Sequence, residues 1–445
     1  MKCSWIPLQI FLFSTLSSLL LLPHTARAQG VFAPGIGPIN RSMGSAALAA
    51  PIDGMGAINW NPASLSGMRE SELSFSVEML IPNIETASSV LGVGSGVTGS
   101  ESGATPLPNM AWVYKTSNQR LTIGFGVLSI AGFQTNFPAD LTNPILAPQR
   151  TPETFPLGGF GRVYSEAAFI DLAPTIAYAL SEKIAIGFSP VATMAKIEVE
   201  PMVFSGVNDA NGDLISTYPR GQGSRYSWGG GANLGIYYIH DCCWRFGASV
   251  KTPRWMEDFR FRTEDELGNP QVARFDMDLP LIASVGVSHG DVEEFLLAVD
   301  VRYVDYENAN GFGESGLDAN GTLQGLGWKS IVAVATGLQY RLSEAAFGRL
   351  GYVYNQNPIP DSQTQYNIAA PLHYQHTISG GLTYQPSSSL SIHMSYSFSP
   401  ESQINGPITL APNLPTGTPA ITVPNSSVTS TLSSHAIDLG VTVKY

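Results

Sequence analysis

A strict period of two runs through most of this sequence. At the C-terminus Ile437, Leu439, Val441, Val443 and Tyr445 alternate with Ala436, Asp438, Gly440, Thr442 and Lys444. Leu390, Ile392, Met394, Tyr396 and Phe398 alternate with Ser391, His393, Ser395, Ser397 and Ser399 in the same way. Successive side chains of a strand point to opposite faces, so each run specifies a strand with one apolar and one polar face. Fourteen such segments stand out, at roughly 72–82, 109–116, 121–133, 163–179, 184–200, 224–240, 244–262, 272–288, 294–306, 328–340, 346–357, 373–384, 390–399 and 434–445.

A soluble sandwich also alternates, but three features favour a membrane barrel. Aromatics bracket the apolar faces, as in Trp228 and Tyr238, Trp328 and Tyr340, and Tyr374 and Tyr384. That is the pattern of two interfacial girdles. The opposite faces carry Gly, Ser, Thr and Asn, which suit a polar lumen. Connections alternate between short (117–120, 181–183, 241–243) and long (83–108, 134–162, 201–223), as periplasmic turns and outer loops do. Charged residues are only 13% of the chain, against about 25% in soluble domains. The net charge of −12 lacks the basic excess of a nucleic-acid binder.

Residues 1–28 read as a secretory signal: Lys2, an apolar stretch from Ile10 to Leu22, and Ala26-Arg27-Ala28 before a mature start at Gln29. No later stretch approaches 18 consecutive apolar residues, so no transmembrane helix is expected. The expected location is the bacterial outer membrane, spanned by a multi-pass β-barrel in contact with outer-membrane lipid and lipopolysaccharide. A monomer is expected.

Residues 29–71 do not alternate. They hold Arg41-Ser42-Met43-Gly44-Ser45-Ala46, Asp53 and Asn61-Pro62-Ala63. The segment is too short for its own core, and its small residues suit packing inside the lumen of a barrel formed by 72–445. With Pro108-Asn109-Met110-Ala111 and Leu172-Ala173-Pro174-Thr175-Ile176-Ala177-Tyr178, these motifs make the chain resemble the FadL/TodX (OMPP1) family of outer-membrane transporters for hydrophobic compounds. The resemblance implies an all-β fold: a 14-stranded antiparallel transmembrane β-barrel plugged by a short N-terminal hatch, with Asn61, Pro62 and Ala63 as the hatch motif. It implies passive transport of long-chain fatty acids or similar hydrophobic small molecules, captured by outer loops and released sideways through a kink in the third strand. That strand, 121–133, carries Gly124, Gly126 and Gly132. Glycines weaken a ladder and permit a bulge, which places the kink at Ala131, Gly132 and Phe133, with Gly126 second. The connections at 201–223 and 263–271 look short and polar, which argues against a large capture groove built from them. Alternatives are a general porin or structural barrel, and an uptake channel for aromatic hydrocarbons.

Other motifs carry little. Gly94-Ser95-Gly96-Val97-Thr98-Gly99 fits GxGxxG but lacks the strand–helix context of a nucleotide site. Asp209-Ala210-Asn211-Gly212-Asp213 begins like a calcium loop, yet Leu214 and Arg220 stand where Gly and Glu are needed. His373 and His376, three apart on a strand, point to opposite faces and cannot share a metal. Cys242 and Cys243 lie in a periplasmic turn, either as a vicinal disulfide or as two thiols. The charges Asp300, Arg302, Asp438 and Lys444 read as ion pairs between strands and hatch. No cofactor, metal site or catalytic set is expected, and the chain is not read as an enzyme.

Overall fold

The fold is described from a computed structural model over residues 30–151, 158–221 and 223–445; the expected signal lies outside these. Fourteen antiparallel strands close into a barrel. They are β1 (Glu72–Val90), β2 (Thr105–Lys115), β3 (Leu121–Phe137), β4 (Val163–Ala179), β5 (Ile184–Glu200), β6 (Ser227–Ile239) and β7 (Trp244–Lys251). Then follow β8 (Ile282–Asp291), β9 (Phe295–Val304), β10 (Ile331–Ser343), β11 (Ala346–Asn355), β12 (His376–Ser387), β13 (Leu390–Gly406) and β14 (Ser426–Lys444). Each pairs with its sequence neighbour, and β1 pairs with β14 from Glu72↔Lys444 to Val90↔Ser426, which completes the ring. Closure leaves no sheet edge for hydrocarbon to meet.

The alternation decides which side of each strand faces lipid. Ile392, Met394 and Tyr396 are 47–50% exposed, while Ser391, His393 and Ser395 are buried. A row of half-exposed Ile, Leu, Val and Phe around the wall is the lipid-facing band of a membrane barrel.

Proline governs where the strand boundaries differ from the sequence pattern. The alternation predicts one strand over 244–262, but β7 ends at Lys251, just before Pro253. Phe259–Glu264 instead pairs with Pro270–Phe275 as a separate outer hairpin. The strand expected at 272–288 begins only at Ile282, after Pro280. A proline has no N–H for the ladder. Conversely, Pro82 does not end β1, which runs on to Val90. Pairing of β1 with β2 stops at Leu80 and resumes with Gly94–Gly99 at Glu85, so Pro82 occupies a locally open edge.

The N-terminal segment crosses the lumen as two short helices, α1 (Pro38–Ser42) and α2 (Gly54–Trp60), then a 3-10 turn over Pro62–Gly67. Asp53 caps α2 by accepting from Gly56 N at 2.8 Å. The wall makes room with glycines. A Cβ at Gly187 would collide with the Ala63 backbone, and one at Gly351 with Gly44.

Candidate functional site: the lumen and a break in its wall

Asn61 sits at the junction of α2 and the 3-10 turn, fully buried. Its Nδ2 donates to Leu48 O (2.7 Å) and to Ile236 O on β6 (3.0 Å), and its Oδ1 accepts from Ala63 N (3.1 Å). One side chain therefore ties two parts of the segment to the wall. Pro62 follows at the first position of the turn, where its missing N–H costs nothing. Ala63 packs against Ala185 and Tyr237.

Charges complete the grip. Arg41 of α1 forms a bidentate pair with Glu78 of β1, both nearly fully buried. Asp300 of β9 accepts from Ala47 N (2.8 Å) and Leu48 N (3.2 Å) and pairs with Arg302 (3.1 Å). Arg302 also donates to Ser45 Oγ at 2.8 Å, and its guanidinium lies 3.5 Å over the Trp60 ring. Lys444 pairs with Glu70 at 3.3 Å. Asp438 differs from the expectation of an ion pair. It lies opposite Glu78 in the β1–β14 register, and Arg41 bonds Glu78 instead.

The wall changes between β2 and β3. Their ladder runs from Lys115↔Thr122 only as far as Asn109↔Leu128. Above that point β2 (105–108) pairs with β1 and β3 (129–137) pairs with β4. Among the described residues no ladder pair joins the two strands over this stretch. Pro106 and Pro108 deprive β2 of two donors, and the β3–β4 register shifts between Ser129 and Ala131. The irregularity therefore falls at Ile130, one residue before the stretch Ala131-Gly132-Phe133 singled out by the glycines. Gly126 lies in regular ladder, opposite Ala111 and Ala173.

The freed backbone groups find other partners, as buried polar groups must. Ser129 N donates to Asn109 Oδ1 (2.8 Å), Ser129 Oγ donates to Pro108 O (2.7 Å), and Ala33 N donates to Ile130 O (2.8 Å). The segment's first described residues thus stopper the break from inside. Behind them a narrow cavity of about 40 Å³ is lined by Phe32, Leu80, Leu107, Gly132, Leu372 and Tyr374. A Cβ on Gly132 would lie 2.6 Å from Leu107 Cδ2.

A larger cavity of about 560 Å³ opens among the outer loops, lined by Leu141, Ile145, Pro148, Phe160, Ile408 and Leu410. Of the described residues of loop 201–223, Val207, Ser216, Thr217 and Tyr218 contribute, and 263–271 contributes none. Among the described residues the groove comes mainly from 141–151, 158–160 and 408–411, with Val90, Val93, Gln365 and Val423. Among the described residues its one charged lining group is Arg150, which donates to Ala411 O at 2.9 Å. Burial holds this guanidinium below its usual pKa. A second small cavity, sharing Phe160 and Tyr218 with the first, continues inward to Ile368 and Ala369. Sequence reasoning missed Ala33 and Arg150; the paired prolines of β2 were the readable signal for the break.

The remaining candidates settle simply. His373 faces inward between Ser402 Oγ (2.9 Å) and Ser430 Oγ (3.2 Å), whereas His376 faces outward against Tyr352 OH (2.7 Å). Cys242 is a free thiol whose Sγ is 3.4 Å from that of Cys243, beyond bonding distance. Gly94–Gly99 is a strand paired with the end of β1.

The 14-stranded barrel is a fold shared with known proteins. The model of the family "Outer membrane protein transport protein (OMPP1/FadL/TodX)" matches residues 22–445. This chain belongs to that family. It is a β-barrel of the bacterial outer membrane, and the family transports hydrophobic compounds. Among solved structures it is similar to the Pseudomonas putida toluene transporter TodX, with 14% identity, 93% of this chain and 99% of that chain covered, and a TM-score of 0.65. The Ralstonia pickettii toluene transporter TbuX shares 18% identity over 93% and 99%, with a TM-score of 0.62. A Pseudomonas aeruginosa FadL homologue shares 13% identity over 93% and 99%, with a TM-score of 0.66. At these identities the likeness concerns the fold. No curated protein matches the chain.

Proposed function

We propose that this protein takes up long-chain fatty acids or similar amphipathic apolar molecules by passive diffusion, and releases them sideways into the bilayer between β2 and β3. The observation that supports the reading is the stretch between 105–108 and 129–134 that lacks ladder pairs, bridged by Ser129 to Asn109 and Pro108 and covered from inside by Ala33 of the N-terminal segment. An apolar molecule gains about 25 cal/mol for each Å² kept from water. Descent through the polar periplasmic floor forfeits that gain, and a side exit keeps it. That floor is lined by Arg69, Glu72, Gln339, Arg341, His393 and Lys444. Asn61, Pro62 and Ala63 serve as the anchor of the plug, and Ala131, Gly132 and Phe133 as the flank of the exit.

The outer cavity supports a fatty acid over a single aromatic ring. Its 560 Å³ falls within the roughly 300–1,000 Å³ of pockets for drug-sized ligands. Arg150 offers a cation for a carboxylate, beside apolar Leu141, Ile145, Phe160 and Ile408 and the uncharged polar Thr142, Gln149, Ser216 and Gln365. Binding of a fatty acid and of its methyl ester to the purified protein tests the assignment. Tighter binding of the acid is expected, and equal binding would remove Arg150 from the reading.

A further inference from the structure

A transverse row of cations lies on the outward face of the outer rim, away from the lumen. The register places it. Glu198 of β5 bridges Gly223, and Ser224 N donates to Ile197 O at 2.6 Å, so Arg225 lies opposite Lys196. Ser224 bridges Phe261, so Arg225 also lies opposite Arg260, whose carbonyl accepts from Arg225 N at 3.3 Å. Arg260 in turn pairs with Arg274 across the outer hairpin. Lys196, Arg225, Arg260 and Arg274 therefore stand side by side on four adjacent strands. The intervening Ile197, Ser224, Phe261, Ala273 and Phe275 are buried inward, so the four cations point outward.

The height of the row on the barrel follows from β5. Its outward residues are Ile184, Ile186, Phe188, Pro190, Ala192 and Met194, and Lys196 comes next. Strands rise about 3.3 Å per residue. Ten residues at a tilt of about 40° span about 25 Å, the height of the apolar band of an outer-membrane barrel. Lys196 is thus the first outward residue above the hydrocarbon. Trp228 lies opposite Met194 and is 46% exposed, while Trp255 and Tyr226 are 60% and 63% exposed. These aromatics mark the same interface.

Like charges directly opposite one another destabilise a sheet. Here four occur in one row of a chain with 23 Lys+Arg in 445 residues and a net charge of −12. Among the described residues, acids pair with only two of them. Glu198 lies 3.9 Å from Lys196, and Asp258 lies 3.7 Å from Arg274. Asp276 is exposed two residues after Arg274, just past the strand's end at Phe275, and Arg262, the next outward residue after Arg260, adds a fifth cation. Arg225, Arg260 and Arg262 are exposed and form no ion pair among the described residues. Guanidinium groups bind phosphate in a bidentate fork.

We propose that this row binds the phosphate groups of a phosphorylated glycolipid headgroup in the outer leaflet, with Trp228, Trp255 and Tyr226 against the adjoining acyl and sugar region. Native mass spectrometry of the full chain in detergent, titrated with bisphosphorylated lipid A, with the same lipid stripped of both phosphates, and with inorganic phosphate, tests this. Bisphosphorylated lipid A is expected to bind the unaltered protein at least tenfold more tightly than the stripped lipid. The R225Q/R260Q/R274Q variant is expected to lose at least tenfold in that affinity while keeping heat-modifiable migration. Equal binding of the two lipids by the unaltered protein would overturn the proposal without recourse to any variant. So would unchanged affinity in a folded triple variant. Inorganic phosphate binding as tightly as the lipid would reassign the row to a free anion.

Discussion

Gly132→Val is the sharpest perturbation of the exit. The first added carbon would stand 2.6 Å from Leu107 Cδ2, against the about 3.5–4.0 Å of an ordinary carbon contact. Leu107 can swing away, because the clash is with the far end of its side chain. The two γ-methyls then enter a cavity of only about 40 Å³, between Leu107 and the stopper residues. Overpacking of this kind costs about 1–3 kcal/mol. Where the same crowding is felt as a ligand squeezes past, passage slows by about 5- to 160-fold. The assay is uptake of a labelled long-chain fatty acid by cells producing the variant, with heat-modifiable migration as the check on folding. Gly126→Ala is the control. It lies in intact ladder on the same strand, with Ile58 Cγ2 3.1 Å from its added carbon, so any effect there reports on the plug. Unaltered uptake by a folded Gly132→Val protein would refute the side exit.

Three further outcomes are expected. Arg150→Gln should weaken binding of a fatty acid about fivefold, equivalent to about 1 kcal/mol for a partly exposed charge pair, and leave binding of an uncharged hydrocarbon within twofold; isothermal titration of both ligands checks it. Asn61→Ala leaves Leu48 O and Ile236 O without their donor, a loss of about 1–3 kcal/mol for each buried group, which should lower the unfolding temperature in detergent and raise single-channel current noise. Deleting 30–60 should leave a folded barrel whose conductance to small ions exceeds that of the intact protein in planar bilayers, since α1 and α2 then no longer fill the lumen.

The barrel was legible because membrane burial imposes a binary choice at every strand residue. Side chains such as Leu439 and Asp438 face lipid or lumen, and the alternation records which. The strand ends were less legible. Outside the hydrocarbon the alternation persists into hairpins such as 259–275, and only Pro253 and Pro280 divide them from the wall. The break was half legible. Glycines pointed to Ala131-Gly132-Phe133, but the pairing is lost through Pro106 and Pro108 on the neighbouring strand and through the shift at Ile130. Ala33 was illegible as a stopper. Its part in the site is a backbone N–H bond to Ile130 O, to which the side chain contributes nothing. The outer cavity was illegible for a related reason. It joins Phe160, Tyr218 and Leu410, far apart in sequence and lacking any common period.

The central claim is the route, and a fatty acid carrying a photoreactive diazirine near its tail reads it directly. After illumination of the reconstituted protein during uptake, the labelled residues are located by peptide mass spectrometry. Label on Leu107, Ile130 and Phe133, flanking the unpaired stretch, is the expected result. Label concentrated instead on Ile52, Met68 and Phe347, which line the periplasmic floor, with none at the β2–β3 break, would show that the ligand descends through the plug and would contradict the account.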